Sequence, residues 1–163
     1  MIRAIAGIRV AIAALFLSIP NAVHAQATDP MADKSAVDKL MRDYVETFSR
    51  GDITAMMNFV GAPLTITDGG FKVIPTADEV QKRYTTLRDG LVKQGYAKSQ
   101  WIDLGVKLLA PSYAIAGGTY VRYKTDGSEL GRSGGTYLLD KVDGVWKIRV
   151  VMGYSAKDAF KPE

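Results

Sequence analysis

The chain has 163 residues, no cysteine and one histidine, His24, and its 21 Lys and Arg exceed its 17 Asp and Glu by four. This length gives one domain with a real core. The composition excludes a disulfide framework, and basic residues scattered among acids argue against tracking a nucleic-acid backbone.

The first element is a leader. Arg3 and Arg9 precede a short apolar stretch, Ala11 to Ile19; Pro20 ends it, and Val23-His24-Ala25 supplies small residues for cleavage after Ala25. The stretch is too short for a membrane span of about 20 residues. Residues 1–25 are therefore read as a secretory signal. The mature protein is expected to be periplasmic or secreted, with no membrane attachment. Cleavage removes the one histidine along with two basic residues, leaving 19 Lys and Arg against 17 acids. Without His or Cys, mechanisms built on Ser-His or Cys-His pairs and metal sites built on imidazole or thiolate are unavailable. No metal and no cofactor are expected. Proton transfer would fall to Asp, Glu, Tyr or Lys.

Residues 26–34 read as a polar, loose lead-in and 35–155 as the domain. Ser35 is the predicted cap of a first helix, whose apolar face is Val37, Leu40, Met41, Tyr44, Val45 and Phe48. Arg50-Gly51 ends it, and Asp52 caps a short second helix. Pro63 to Thr67 and Phe71 to Ile74 read as two short strands around Asp68-Gly69-Gly70. Thr76 and Glu79 form a capping box opening a third helix, with Val80, Tyr84, Leu87 and Leu91 on its buried face. Lys98 to Leu109 alternates as a single strand. Three further strands follow, with reversals at Asp126-Gly127 and Asp143-Gly144. Gly117-Gly118 and Gly134-Gly135 interrupt two of them and predict sharp bends, enough to curl the sheet around a cavity. Residues 156–163 read as a polar tail. Helices followed by strands imply an α+β domain with helices on one face of a bent antiparallel sheet.

Three strings carry a family resemblance: DYVETFSRGDITAMMNFV at 43–60, PTADEVQKRY at 75–84 and GTYLLDKVDGVWKI at 135–148. With the element order, they resemble the nuclear transport factor 2-like superfamily, also called SnoaL-like or ketosteroid isomerase-like. The resemblance spans nearly all of residues 35–154. It implies a cone-shaped fold, three helices packed on a strongly bent mixed or antiparallel sheet that encloses a pocket, in a domain that is often a homodimer. It does not imply one activity, since such folds serve isomerases, dehydratases and non-catalytic binders.

In the isomerases of this fold a first-helix tyrosine donates to the substrate oxyanion, one carboxylate moves the proton and a second, protonated acid assists. The resemblance puts Tyr44 on the tyrosine and Asp68 on the base. The third position falls at Gly134-Gly135-Thr136, which has no acid; Asp103 and Asp140 are other carboxylates of the sheet, but neither matches the motif. Each candidate has a plainer reading. Tyr44 is equally a core residue of an amphipathic helix. Asp68 is equally a hairpin turn residue. Tyr120, Arg122 and Tyr137 either line a pocket mouth that hydrogen-bonds a carbonyl or carboxylate, or form a cross-strand cluster with Arg122 reaching water. Trp101 and Trp146 belong to the core or a dimer interface. The expected function is an exported protein whose apolar pocket binds a small hydrophobic molecule through Tyr44, Tyr120, Arg122 and Tyr137. The alternatives are a metal-free isomerase or dehydratase using Asp68 and Tyr44, or a protein-interaction module.

Overall fold

The computed structural model describes residues 29–67 and 69–163; the leader and Asp68 lie outside the described residues. Helix α1 (Pro30–Arg50) is capped by Asp29, whose carboxylate accepts from the Met31 and Ala32 amides at 2.9 and 3.3 Å. The helix thus starts before Ser35, and residues 30–34 are helical where a loose lead-in was expected. Pro30 accounts for the difference: its fixed φ suits the first turn, where its missing N–H would have been unpaired anyway. Val37, Met41, Tyr44, Val45 and Phe48 form the buried stripe. Burying each stabilises the fold by about 1.5–3 kcal/mol.

The Ser-Arg-Gly-Asp string after α1 has a local physical cause. Gly51 adopts φ +80 as the left-handed cap, and its N–H returns to the Phe48 and Thr47 carbonyls. The Arg88 guanidinium covers Gly51 and donates to the Phe48 and Ser49 carbonyls at 3.1 and 3.2 Å, a cation on the negative end of the helix. Asp52 then caps α2 (Ile53–Met56) by accepting from the Ala55 amide at 2.9 Å. Ser49 ties α1 to the sheet, accepting from the Ser99 amide at 2.9 Å.

β1 (Val60–Thr67) and β2 (Phe71–Ile74) form a hairpin, and α3 (Ala77–Val92) follows. The Thr76–Glu79 capping box is present: the Thr76 hydroxyl accepts from the Glu79 amide at 3.3 Å, and the Glu79 carboxylate from the Thr76 amide at 3.3 Å. Thr76→Ala is expected to lower stability by about 1 kcal/mol, measured as a urea midpoint shift at unchanged m; an unchanged midpoint would refute the capping assignment.

The remaining strands are β3 (Tyr96–Trp101), β4 (Gly105–Ala110), β5 (Tyr113–Lys124), β6 (Glu129–Val142) and β7 (Val145–Ser155). The sheet runs β2-β1-β7-β6-β5-β3, with β4 also on β5, and it is mixed because β1 lies parallel to β7. The expected single strand over Lys98 to Leu109 is two strands. β3 pairs with the second half of β5 and β4 with its first half. The chain steps out between them at residues 102–104, where the Ile102 amide donates to the Thr119 carbonyl at 2.8 Å and the Asp103 carboxylate accepts from the Thr119 amide at 2.6 Å. The paired glycines sit opposite this step: Gly117 faces Thr136, Gly118 faces Gly135, and Thr119 faces Gly134 across β5 and β6. The Asp143-Gly144 reversal has φ +51 and +80 and closes a two-residue hairpin between Val142 and Val145.

Trp146, Ile148, Leu139 and Ala114 fill the inner face at one end of the sheet. There the start of α1 is latched by the buried Asp33, which accepts from Lys141 Nζ at 2.6 Å and from Trp146 Nε1 at 3.2 Å. The Lys141 hydrogen bond holds the Asp33 carboxyl below its usual range. The tail departs from the sequence reading. After a 3-10 turn at Ala156–Asp158 it runs back over the outer sheet face, and Pro162 is buried. Glycines make the room. A Cβ on Gly105 would overlap the Pro162 carbonyl, one on Gly117 would lie 2.6 Å from the Phe160 carbonyl, and one on Gly134 would lie 2.5 Å from the Tyr154 ring. The Tyr154 hydroxyl secures the return, bonding Thr136 Oγ1 at 2.6 Å and accepting from the Phe160 amide at 3.2 Å.

Candidate functional site

Between the helices and the inner sheet face lies an open cavity of about 220 Å³. α1 contributes Tyr44, Val45 and Phe48; β1 contributes Leu64, Ile66 and Thr67; α3 contributes Arg83, Tyr84 and Leu87; the later strands contribute Ser99, Tyr120, Arg122, Tyr137, Val151 and Gly153. Tyr44, Tyr120, Arg122 and Tyr137 thus come together at one cavity, from one helix and two strands.

Alternation explains the strand contribution. Tyr120 and Arg122 are two apart on β5, and Tyr137 stands on the neighbouring strand opposite Ala116. All three project to the side the helices cover. The Tyr137 ring is wedged edge-on between Tyr44, at 5.8 Å between centres, and Trp101, at 5.9 Å. Trp101 also meets the Tyr120 ring edge-on at 5.7 Å and donates from its indole to the Met41 carbonyl at 3.3 Å. Both tryptophans are buried within the single chain, Trp101 behind the cavity and Trp146 at the Asp33 latch.

The Tyr44 and Tyr84 hydroxyls share a hydrogen bond of 2.9 Å. Burial pushes Tyr44 well above its ordinary pKa, with the neighbouring Tyr84 adding to the shift and Arg122 opposing it. Burial likewise raises Tyr84 and Tyr137. At neutral pH the three phenols are protonated and act as hydrogen-bond donors or acceptors, not as bases. Arg122 lies 5.2 Å from the Tyr120 ring centre and donates to the Tyr120 hydroxyl at 3.3 Å. Its Nε is shielded from solvent and has no acceptor.

The other carboxylates considered from sequence do not line the cavity. Asp103 caps the Thr119 amide, and Asp140 pairs with Arg149 at 2.7 Å. At the position of the missing acid, Gly135 carries no side chain, and a Cβ there would lie 3.0 Å from the Tyr137 ring. Tyr84 is the site residue that sequence reading assigned only to the buried face of α3. Its signal was a tyrosine on that face, in a chain whose first helix offers another to the same interior.

The fold has counterparts in known proteins. The chain superposes on an NTF2-like protein with a cystatin-like fold from Novosphingobium aromaticivorans with TM-score 0.65 at 13% identity, covering 79% of this chain and 85% of that one. An NTF2-like protein of unknown function from Shewanella oneidensis MR-1 gives TM-score 0.61 at 19% identity, over 74% of this chain and 98% of that one. The association domain of C. elegans CaMKII gives 0.59 at 12% identity, over 77% and 98%. These similarities establish the fold alone. None of the curated proteins matches significantly. The sequence profile described as NTF2-like protein (DUF6841) matches residues 33–156, from the Asp33 latch to the end of the last strand. With helices, bent mixed sheet and interior cavity in that same span, the chain belongs to this NTF2-like family.

Proposed function

We propose that the protein binds a small, largely apolar molecule in the cavity between α1, α3 and the curled sheet. The observation that carries this reading is the lining itself: Val45, Phe48, Leu64, Ile66, Leu87 and Val151 surround a space that the core leaves open, with polar groups from α1, α3 and the sheet set among them. Concave, mostly apolar sites with few convergent polar groups are the usual form of small-molecule sites. Native mass spectrometry of protein purified without detergent tests it. The expected result is a retained small molecule, or one taken up on titration with neutral apolar compounds such as indole. Absence of any adduct, with no amide shifts at cavity residues on titration, sinks the reading.

The proposal includes export and self-association. Export is supported by the leader pattern of residues 1–25 and predicts a mature chain beginning at Gln26. Self-association is supported by the likeness to an association domain and by exposed apolar side chains such as Phe71, Val73 and Tyr113.

A second reading, acid–base catalysis on a small carbonyl compound, is favoured by one observation: Thr67, the residue before Asp68, lines the same cavity as Tyr44. Turnover of a β,γ-unsaturated ketone that Asp68→Asn abolishes would support it. No turnover above buffer would leave the binding role alone.

A further inference from the structure

We propose that the ligand of this cavity carries a carboxylate, received by the Arg122 guanidinium with the Tyr137 hydroxyl beside it. The proposal rests on the binding reading above and specifies the polar end of the ligand.

Arg122 stands near the C-terminal end of β5 but still within its paired length, opposite Gly131 of β6, and its side chain lines the cup. Its polar partner in the structure is the Tyr120 hydroxyl, at 3.3 Å. Ion pairs recorded among the described residues engage Lys39, Arg42, Arg50, Arg132, Lys141 and Arg149, and none engages Arg122. No acidic side chain lines the cavity among the described residues. A guanidinium is always charged and weakly hydrated, and its planar fork matches a carboxylate. Set against apolar walls without an acid partner, it leaves the cup electrostatically incomplete. The orphaned Nε adds to this, since a buried donor without an acceptor costs about 1–3 kcal/mol.

Tyr137 supplies the second donor. Its hydroxyl has no hydrogen-bond partner among the described residues, while its ring is fixed by Tyr44 and Trp101. Tyr44 and Tyr84 differ in this respect, since each satisfies the other. The sheet therefore offers a guanidinium without an acid partner and an unpaired phenol, and beside them an apolar strip in which Val151 is the cross-strand neighbour of Tyr137 and Ile66 that of Val151. An anionic head with an apolar body matches both. At about 30 Å³ per water, a cavity of about 220 Å³ holds about seven waters, which suits a ligand of about ten non-hydrogen atoms.

The test uses three probes of one shape: trans-cinnamate, cinnamamide and cinnamyl alcohol. Each is titrated at neutral pH into the mature protein and its Arg122→Gln, Arg122→Lys and Tyr137→Phe variants, with affinity read by calorimetry and location by amide chemical shifts. Cinnamate is expected to bind about ten-fold more tightly than the amide, the size of one charge-assisted hydrogen bond. Arg122→Gln is expected to collapse that preference to near unity by weakening cinnamate far more than the amide. Arg122→Lys retains part of it, and Tyr137→Phe weakens cinnamate more than the alcohol. Equal affinities for cinnamate and cinnamamide in the unmodified protein, or a preference that survives Arg122→Gln, overturns the carboxylate assignment and leaves the binding reading standing. Failure of all three probes to shift any cavity residue overturns both. If the glutamine variant does not fold, the acid-to-amide ratio in the unmodified protein and in Arg122→Lys decides the matter.

Discussion

Gly118→Ala is expected to destabilise the domain by about 3 kcal/mol or more, combining overpacking with the loss of a part-buried hydrogen bond. The cause is local and specific. At Gly118 the sheet edge changes hands, because β5 leaves β4 and takes up β3. The connecting residues press so close that an alanine Cβ would overlap the Asp103 carbonyl oxygen and lie 2.7 Å from Asp103 Oδ1. That carbonyl cannot simply swing aside. Its residue is held on both sides, the Asp103 carboxylate accepting from the Thr119 amide and the Asp103 amide donating to the Thr119 carbonyl, which the preceding Ile102 amide also reaches. Gly118 also has φ +155, which side chains rarely adopt. A fall in Tm of about 10 °C or more is the readout. Gly131→Ala is the control on the neighbouring strand, where an added Cβ meets nothing within 4 Å. Similar small effects from both substitutions would show that the edge switch does not depend on this glycine.

Trp101→Ala is expected to cost about 3–5 kcal/mol, the usual range for truncating a buried aromatic, and also to weaken ligand binding. The indole backs two of the cavity's polar residues at once, Tyr120 and Tyr137, and anchors to α1 through the Met41 carbonyl. Its removal opens a hole behind both rings, so the tyrosines lose their fixed direction as well as their packing. Trp146→Ala separates the two effects. That tryptophan is equally buried but packs at the Asp33 and Lys141 end of the domain. It is expected to destabilise comparably while leaving cinnamate affinity nearly unchanged in protein that remains folded. If the two variants lose affinity to the same degree, the backing role of Trp101 is wrong.

Features set by neighbouring residues were legible in the sequence. The capping box at Thr76 and Glu79, the left-handed stop at Gly51 and the tight turn at Asp143-Gly144 each follow from one or two side chains, and all three are present. The gathering of Tyr44, Tyr120, Arg122 and Tyr137 was also within reach, because helix spacing and strand alternation decide which face each takes. The step at residues 102–104 was not. Apolar alternation continues through it, and what breaks the strand is competition between β3 and β4 for the same partner, a relation with no local signature. The parallel pairing of β1 with β7 is hidden for the same reason: it joins segments far apart in the chain. Tyr84 was visible as a buried residue but not as a partner of Tyr44, since their hydroxyls meet only once two helices have docked.

The glycines at 105, 117 and 134 carry a consequence for assembly. By forgoing side chains they let residues 159–162 act as a third stratum on the back of the sheet. A second copy approaching over β4, β5 and β6 therefore touches this strap before it touches any strand. Docking by that route must either peel the strap away, laying bare a smooth glycine floor, or knit it into the contact. Amide exchange at Phe160, whose N–H reports the strap's seat on Tyr154, distinguishes the two: it quickens with concentration in the first case and slows in the second.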